Sequence, residues 1–213
     1  MDRYTLWEVW SKGVYDYFPI NEGDVVVDVG AHVGSFSVRA AMQGATVFAL
    51  EPSEANYAQL LRHIELNGMA DSITPLNLAM GAEEGCACLS GSFSNALSTM
   101  GRLVPGECAN PVQTIGLKSF GHIDLLKIDC EGCEWMLTPD ALAGVQKIVM
   151  EVHGSPKPMV ERLNAWGFNC VQKGGGLLGL VSRTSYIFAW LQWGHGFSTV
   201  DNPPHDNNVR GGY

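Results

Sequence analysis

The sequence predicts a doubly wound α/β fold, and three observations carry the prediction. Short, near-continuous apolar runs alternate with stretches of helical apolar spacing, which is the pattern of parallel strands buried on both faces. Capping and breaking residues punctuate the amphipathic stretches. The last two apolar runs are separated by a short Gly-rich turn with no room for a helix, so the sheet ends antiparallel.

In order, the strands are expected at 24–29 (DVVVDV), 45–50 (ATVFAL), 72–80 (SITPLNLAM), 123–129 (IDLLKID), 147–152 (KIVMEV), 168–172 (FNCVQ) and 185–191 (SYIFAWL). Helices are expected over SFSVRAAMQ, over SEANYAQLLRHIELNG with Ser53 as N-cap and Gly68 as stop, and over PKPMVERLNAWG between Pro156 and Gly167. Residues 81–116 alternate like strands without helical periodicity and read as a β insertion before strand four. The whole is a seven-stranded, mostly parallel sheet with an antiparallel C-terminal strand.

Residues 1–22 form an N-terminal helical segment in this reading, with Trp7, Trp10, Val14 and Phe18 spaced to pack on the core. A lid over a substrate is the competing reading for that face. Residues 23–192 form one catalytic-size domain, and the polar, Gly/Pro/Asn-rich residues 193–213 form a flexible tail.

Apolar residues make up 46% and charged residues 16% of 213, a globular balance without an apolar run near the roughly 20 residues of a membrane span. The N-terminus has no signal-peptide pattern, so cytoplasmic residence is the expectation. There, the six cysteines are expected to be reduced, buried small hydrophobes; the Cys-x-x-Cys of CEGC has no second pair at zinc spacing. A net charge of −9 with no Lys/Arg cluster argues against a nucleic-acid partner and for a small-molecule acceptor, with a homodimer compatible.

The turn after the first strand is Asp-x-Gly-x-x-x-Gly, from Asp28 to Gly34. Ligands of open α/β sheets sit beyond the carboxyl ends of the strands, so this turn is the first candidate site. Gly30 permits close backbone approach and Gly34 a tight helix start. Glu51 ends the second strand, where an acid can accept ribose hydroxyls. An acid at position 28 opposes a pyrophosphate, since like unit charges about 4 Å apart repel by roughly 4 kcal/mol at an effective dielectric of 20. A cationic nucleoside, S-adenosyl-L-methionine, meets both requirements.

The stretches VVVDVGAHVGSFSVRAA, VFALEPSEANYAQLLRHIELNG, LNLAMGAEEG and IDLLKIDCEGCEWML resemble, in order, the motifs of the FkbM family of S-adenosylmethionine-dependent methyltransferases. The resemblance spans about residues 24–153, with Lys-Ile-Asp-x-Glu-Gly-x-Glu its most discriminating part. It implies a Rossmann-like class I methyltransferase, often acting on a hydroxyl of a sugar or natural product. It implies cofactor contacts from Asp28, Gly30, His32, Gly34 and Glu51, and passage of Asn77 and Ala79 near the adenine.

A hydroxyl acceptor needs a base. Lys127 and Asp129 share one face of strand four, and Glu151 and His153 share one face of strand five. Asp129 is expected to orient the acceptor or the methionine amine, and His153, with a pKa suited to neutral pH, to remove the proton. Lys127 and Asp129 read alternatively as members of a structural ion pair with a neighbouring element, and Glu151 and His153 together with Asp129 as a metal site, though no spacing is diagnostic and none is assigned. Two rivals stand beside O-methylation: N-methylation of tRNA or a small amine, and a non-catalytic cofactor-binding subunit.

Overall fold

The structure is a computed structural model that describes residues 3–90, 102–104, 111–174 and 184–191; the expected tail at 193–213 lies outside the described residues. The chain starts with a single helical turn, α1 (Arg3–Leu6), that widens into a π-helix over Trp7–Lys12, and Gly13 ends it in the left-handed conformation. Then come β1 (Val25–Val29), α2 (Ser35–Met42), β2 (Thr46–Leu50), α3 (Glu54–Leu66) and β3 (Ile73–Leu76). The insertion contributes β4 (Ala79–Met80), β5 (Gly85–Ser90), β6 (Arg102–Val104) and β7 (Pro111–Ile115). The chain closes with β8 (Ile123–Ile128), β9 (Val145–His153), α4 (Lys157–Ala165), β10 (Phe168–Gly174) and β11 (Thr184–Leu191).

Seven strands form one sheet in the order β10-β11-β9-β8-β1-β2-β3. All neighbours are parallel except β11, which runs antiparallel to both β9 and β10. The fold is therefore the expected one, with a refinement: the last strand is inserted between its two predecessors. The expected strand at 72–80 is two strands. Asn77 and Leu78 break it, so that β3 stays in the large sheet while β4 pairs with β7 in a four-stranded insertion sheet.

The alternation of side chains along each strand divides the core in two. On one face Val26, Leu125, Val149 and Phe188 pack with α2, α3 and the N-terminal segment. On the other, Val27, Leu126, Ile148 and Met150 pack with Met159 and Leu163 of α4. The crossover is at β1, from which the chain winds outwards to β2 and later returns to β8 on the other side.

The N-terminal segment departs from the expected α-helical face. Val14 and Phe18 pack against the core, but Trp7 and Trp10 are exposed, and Val9 and Tyr15 are the buried residues. A π-helix advances fewer degrees per residue than an α-helix, so the 3.6-residue stripe selects the wrong side. Arg39 of α2 anchors the segment through the Val9 carbonyl and the Asp16 carboxylate. Lys12 lies 3.9 Å from the Trp7 ring centre, and Arg39 also approaches Trp10.

At the crossover, Asp28 and Lys127 face each other on adjacent strands. Asp28 is fully buried and Lys127 nearly so, with Nζ 2.9 Å from Asp28 Oδ1. Ser37 of α2 donates to Asp28 Oδ2 at 2.6 Å, and Lys127 donates to the Gly30 carbonyl at 2.9 Å. Burial opposes the Lys127 ammonium, but the carboxylates of Asp28 and Asp129 outweigh it and hold its pKa above the ordinary lysine value. The structural ion pair weighed for Lys127 with a neighbouring element is realised with Asp28. Removing one partner strands a buried charge, at about 3–5 kcal/mol. Lys127→Met is expected to lower the unfolding free energy by about that amount in denaturant titrations, and Asp28→Asn in the same chain to recover part of it.

Candidate active site

A cleft of about 250 Å³ opens beyond the carboxyl ends of β1, β2, β8 and β9. Its floor is the turn that follows β1. Gly30, at φ 76°, sits directly under the carbonyl of Asp129, which a Cβ would strike. Here glycine is required by contact between two strand ends. Gly34, at φ 86°, starts α2 against Leu60 of α3 and does not line the cleft.

Glu51 organises this turn. Its Oε2 accepts the His32 backbone N–H at 2.8 Å, while Oε1 accepts from Ser53 N at 2.9 Å and Asn56 Nδ2 at 3.3 Å. His32 itself takes a left-handed φ of 54°, which turns its N–H to the carboxylate. Burial raises the Glu51 pKa, and the three hydrogen bonds work against that rise. A carboxylate has about four acceptor positions, so Oε2 retains room for one ligand hydroxyl. Asn77 donates to the Glu51 backbone carbonyl at 2.8 Å but lies outside the cleft lining, whereas Ala79 lies in it with Leu78 and Met80.

Asp28 does not face the cleft. It was expected to attract a cationic cofactor, but its side chain points from β1 towards α2, and Lys127 neutralises it. The acid that meets the cleft instead is Asp129, two residues beyond Lys127 on the same face. Tyr15 donates to Asp129 Oδ2 at 2.9 Å, and burial, followed by the Asp129 charge, pushes the Tyr15 phenol well above its ordinary pKa.

Glu151 lines the cleft on the same side of the sheet, and its strand partner in register is Tyr186 of β11. Burial, reinforced by the Asp129 and Glu8 carboxylates and offset by Lys127, raises Glu151 to about 8. Tyr186 is raised too, by burial and by Glu151, to which it hydrogen-bonds. His153 lies behind the lining, 44% exposed, with Nε2 3.5 Å from both Glu131 Oε2 and Glu151 Oε1. The structure thus brings Lys127, Asp129 and Glu151 to the cleft and leaves His153 beside it. Among the described residues no group of three or more His, Cys, Asp or Glu is arranged to hold a metal ion.

The N-terminal segment, for which a lid is the competing reading, forms a wall of the cleft through Thr5, Glu8, Val9 and Tyr15, none of which sequence reasoning singles out. Tyr15 reaches Asp129 across 114 residues, and no local motif announces that contact. Asn56 was legible in principle, as a polar side chain on the inner face of a helix. The cysteines also depart from expectation. Cys130 and Cys133 are joined by a disulfide and both line the cleft, Cys88 is disulfide-bonded, and Cys86 and Cys170 are free.

A crossover turn bound to an acid at the second strand tip, in a seven-stranded sheet with an inserted antiparallel strand, defines a class I methyltransferase. The Methyltransferase FkbM domain matches residues 28–172, more than half of the chain, and the protein belongs to that family. It is a S-adenosylmethionine-dependent methyltransferase.

Among solved structures, the FkbM methyltransferase of Methylobacillus flagellatus KT aligns with a TM-score of 0.55 at 14% identity, over 80% of this chain and 44% of that one. Magnesium protoporphyrin IX methyltransferase (ChlM) from Synechocystis PCC 6803, with bound SAM, gives 0.53 and 15% over 88% and 78%. Precorrin-6y C5,15-methyltransferase from Geobacter metallireducens GS-15 gives 0.52 and 17% over 86% and 87%. At these identities the likeness is one of fold. None of the curated proteins matches the chain in sequence. No helix among the described residues is long and apolar enough to cross a membrane.

Tyr15→Phe removes the donor to Asp129 and is expected to lower stability by about 1 kcal/mol, read as a lower thermal midpoint with the same unfolding cooperativity.

Proposed function

We propose that the protein transfers a methyl group from S-adenosylmethionine to a hydroxyl of a small molecule, a sugar or a natural product. The observation that carries this reading is Glu151, a carboxylate at the cleft whose raised pKa suits it to take a proton near neutral pH.

The residues present fit the cofactor. Glu51 Oε2 would accept a ribose hydroxyl, and the apolar surface of Leu78, Ala79 and Met80 would take the adenine. Gly30 and His32 would line its approach. Asp129, Glu131 and Glu151 exceed the cationic groups of the lining, because Lys127 is already paired with Asp28. That balance favours a positively charged ligand over a phosphate. Once bound, the cofactor supplies an electrophilic methyl group on sulfur.

The protein's share is to hold the acceptor and manage its proton. Asp129, fixed by Tyr15, orients the acceptor or the cofactor's amine. Glu151 accepts the hydroxyl proton. In that role Glu151 replaces His153, which the sequence favoured: the imidazole lies outside the lining, 3.5 Å from the Glu151 carboxylate. Lys127 holds Asp28 and the Gly30 carbonyl, and so supports the floor of the site. The net charge of −9 and the acidic lining favour a small acceptor over RNA.

Three measurements test the proposal. Glu51→Ala is expected to weaken S-adenosylmethionine binding at least tenfold by calorimetry, and unchanged affinity would remove Glu51 from the site. Against a panel of hydroxylated acceptors with labelled methyl donor, Glu151→Gln is expected to lower kcat about a hundredfold, while His153→Ala retains most of it.

The pH profile carries a sign. Glu151 must lose its proton to act, so wild-type kcat/KM is expected to rise through about pH 8, and Glu151→Gln to lose that limb. Because the folded-state pKa lies above the unfolded one, the native state holds a proton that the unfolded chain has released. This contribution to stability therefore declines as pH rises from about 4.5 to about 8.

A further inference from the structure

The Cys130–Cys133 disulfide forms part of the cleft wall. Cys130 directly follows Asp129, whose N–H donates to the Val29 carbonyl at 3.0 Å and whose carbonyl rests on Gly30. The bridged turn is thus in backbone contact with the loop that forms the cleft floor. Inside it, Glu131 holds a left-handed φ of 56° and Gly132 a φ of 119°. A left-handed non-glycine residue is disfavoured, so it persists where its surroundings enforce it.

Glu134 stands beside the bridge. Its Oε2 lies 3.7 Å from Cys130 Sγ and accepts the Gly132 N–H at 2.9 Å. Its Oε1 is buried without a hydrogen-bond partner among the described residues. A disulfide offers this carboxyl no proton, whereas a thiol does.

We infer that Cys130 and Cys133 form a thiol–disulfide site whose oxidation state sets cofactor affinity. This inference rests on the cofactor assignment above. The co-reactant is a dithiol. One of its thiolates attacks Sγ of Cys130, the less buried of the two residues, and the Cys130–Cys133 bond breaks with Cys133 leaving as thiolate. The second thiolate of the reductant then attacks its own sulfur in the mixed disulfide and releases Cys130 as thiolate.

Each released thiolate takes a proton, Cys130 through Glu134, whose pKa burial has raised. Two electrons and two protons pass from the dithiol, which becomes a disulfide, to the protein, which gains two thiols. The reduced turn is no longer enforced at Glu131 and withdraws its support from Gly30. The oxidised protein binds S-adenosylmethionine more tightly.

Cys130 and Cys133 fall on one tryptic peptide, residues 128–147, apart from Cys86, Cys88, Cys108 and Cys170. The full chain, titrated with dithiothreitol, is to be alkylated and mapped at each step while S-adenosylmethionine affinity is measured on the same samples. The expected result is a disulfide in that peptide before reduction, and a Kd at least fivefold weaker that tracks alkylation of Cys130 and Cys133. Cys133→Ser is expected to show the weaker affinity in both conditions, and Cys88→Ser to keep the dependence.

Free thiols at both positions in the oxidised protein, equal affinity in both states, or a change that tracks Cys88 instead would overturn the inference while leaving the cofactor assignment standing. Absence of binding in either state would remove the cofactor assignment itself.

Discussion

The buried contact between Asp28 and Lys127 is the constraint on which the rest depends. It joins β1 to β8 where the chain changes winding direction, and its lysine also holds the carbonyl of Gly30. A charge pair without water is weak as a source of stability but strong as a specification, because any register that separates the two strands a charge. Fixing β1 against β8 aligns Gly30 under Asp129. That alignment sets the floor of the cleft and the height of the first acid above it.

From this point the site is built outward in two directions. Towards β2, Glu51 collects three donors and converts the crossover turn into a defined surface. Towards β9, the same face of the sheet carries Asp129 and then Glu151, with Tyr15 and Tyr186 covering them from the N-terminal segment and the last strand. The carboxylates are close enough to oppose one another's ionisation, and Lys127 offsets them in part. A cation entering the cleft would relieve that opposition, so ligand charge and the proton on Glu151 are linked.

Much of this was legible in the sequence for a physical reason: strand parity is rigid. A two-residue period puts Lys127 with Asp129 on one face, and the acid at the tip of β2 follows from the length of the apolar run before it. Parity does not say which neighbour a charge will choose, and so Asp28 was read as facing ligand when it faces lysine. The N-terminal segment failed differently. Its aromatic residues fit an α-helical stripe, but the backbone adopts a wider helix, and the side that packs is Val9 and Tyr15. The Cys130–Cys133 bridge runs against the cysteine chemistry of a reducing compartment, although three residues of separation suffice to close it.

The insertion of β11 between β9 and β10 has a consequence for how the protein is made. The strand that supplies Tyr186 follows the other six strands of its sheet in chain order, yet it occupies an interior position in the sheet. Until it arrives, β9 has a bare edge and Glu151 lacks its phenolic cover, while β10 has no sheet neighbour at all. A nascent chain cannot acquire the finished pocket piecemeal. The cover over Glu151 is completed only after the other six strands of the sheet have been made.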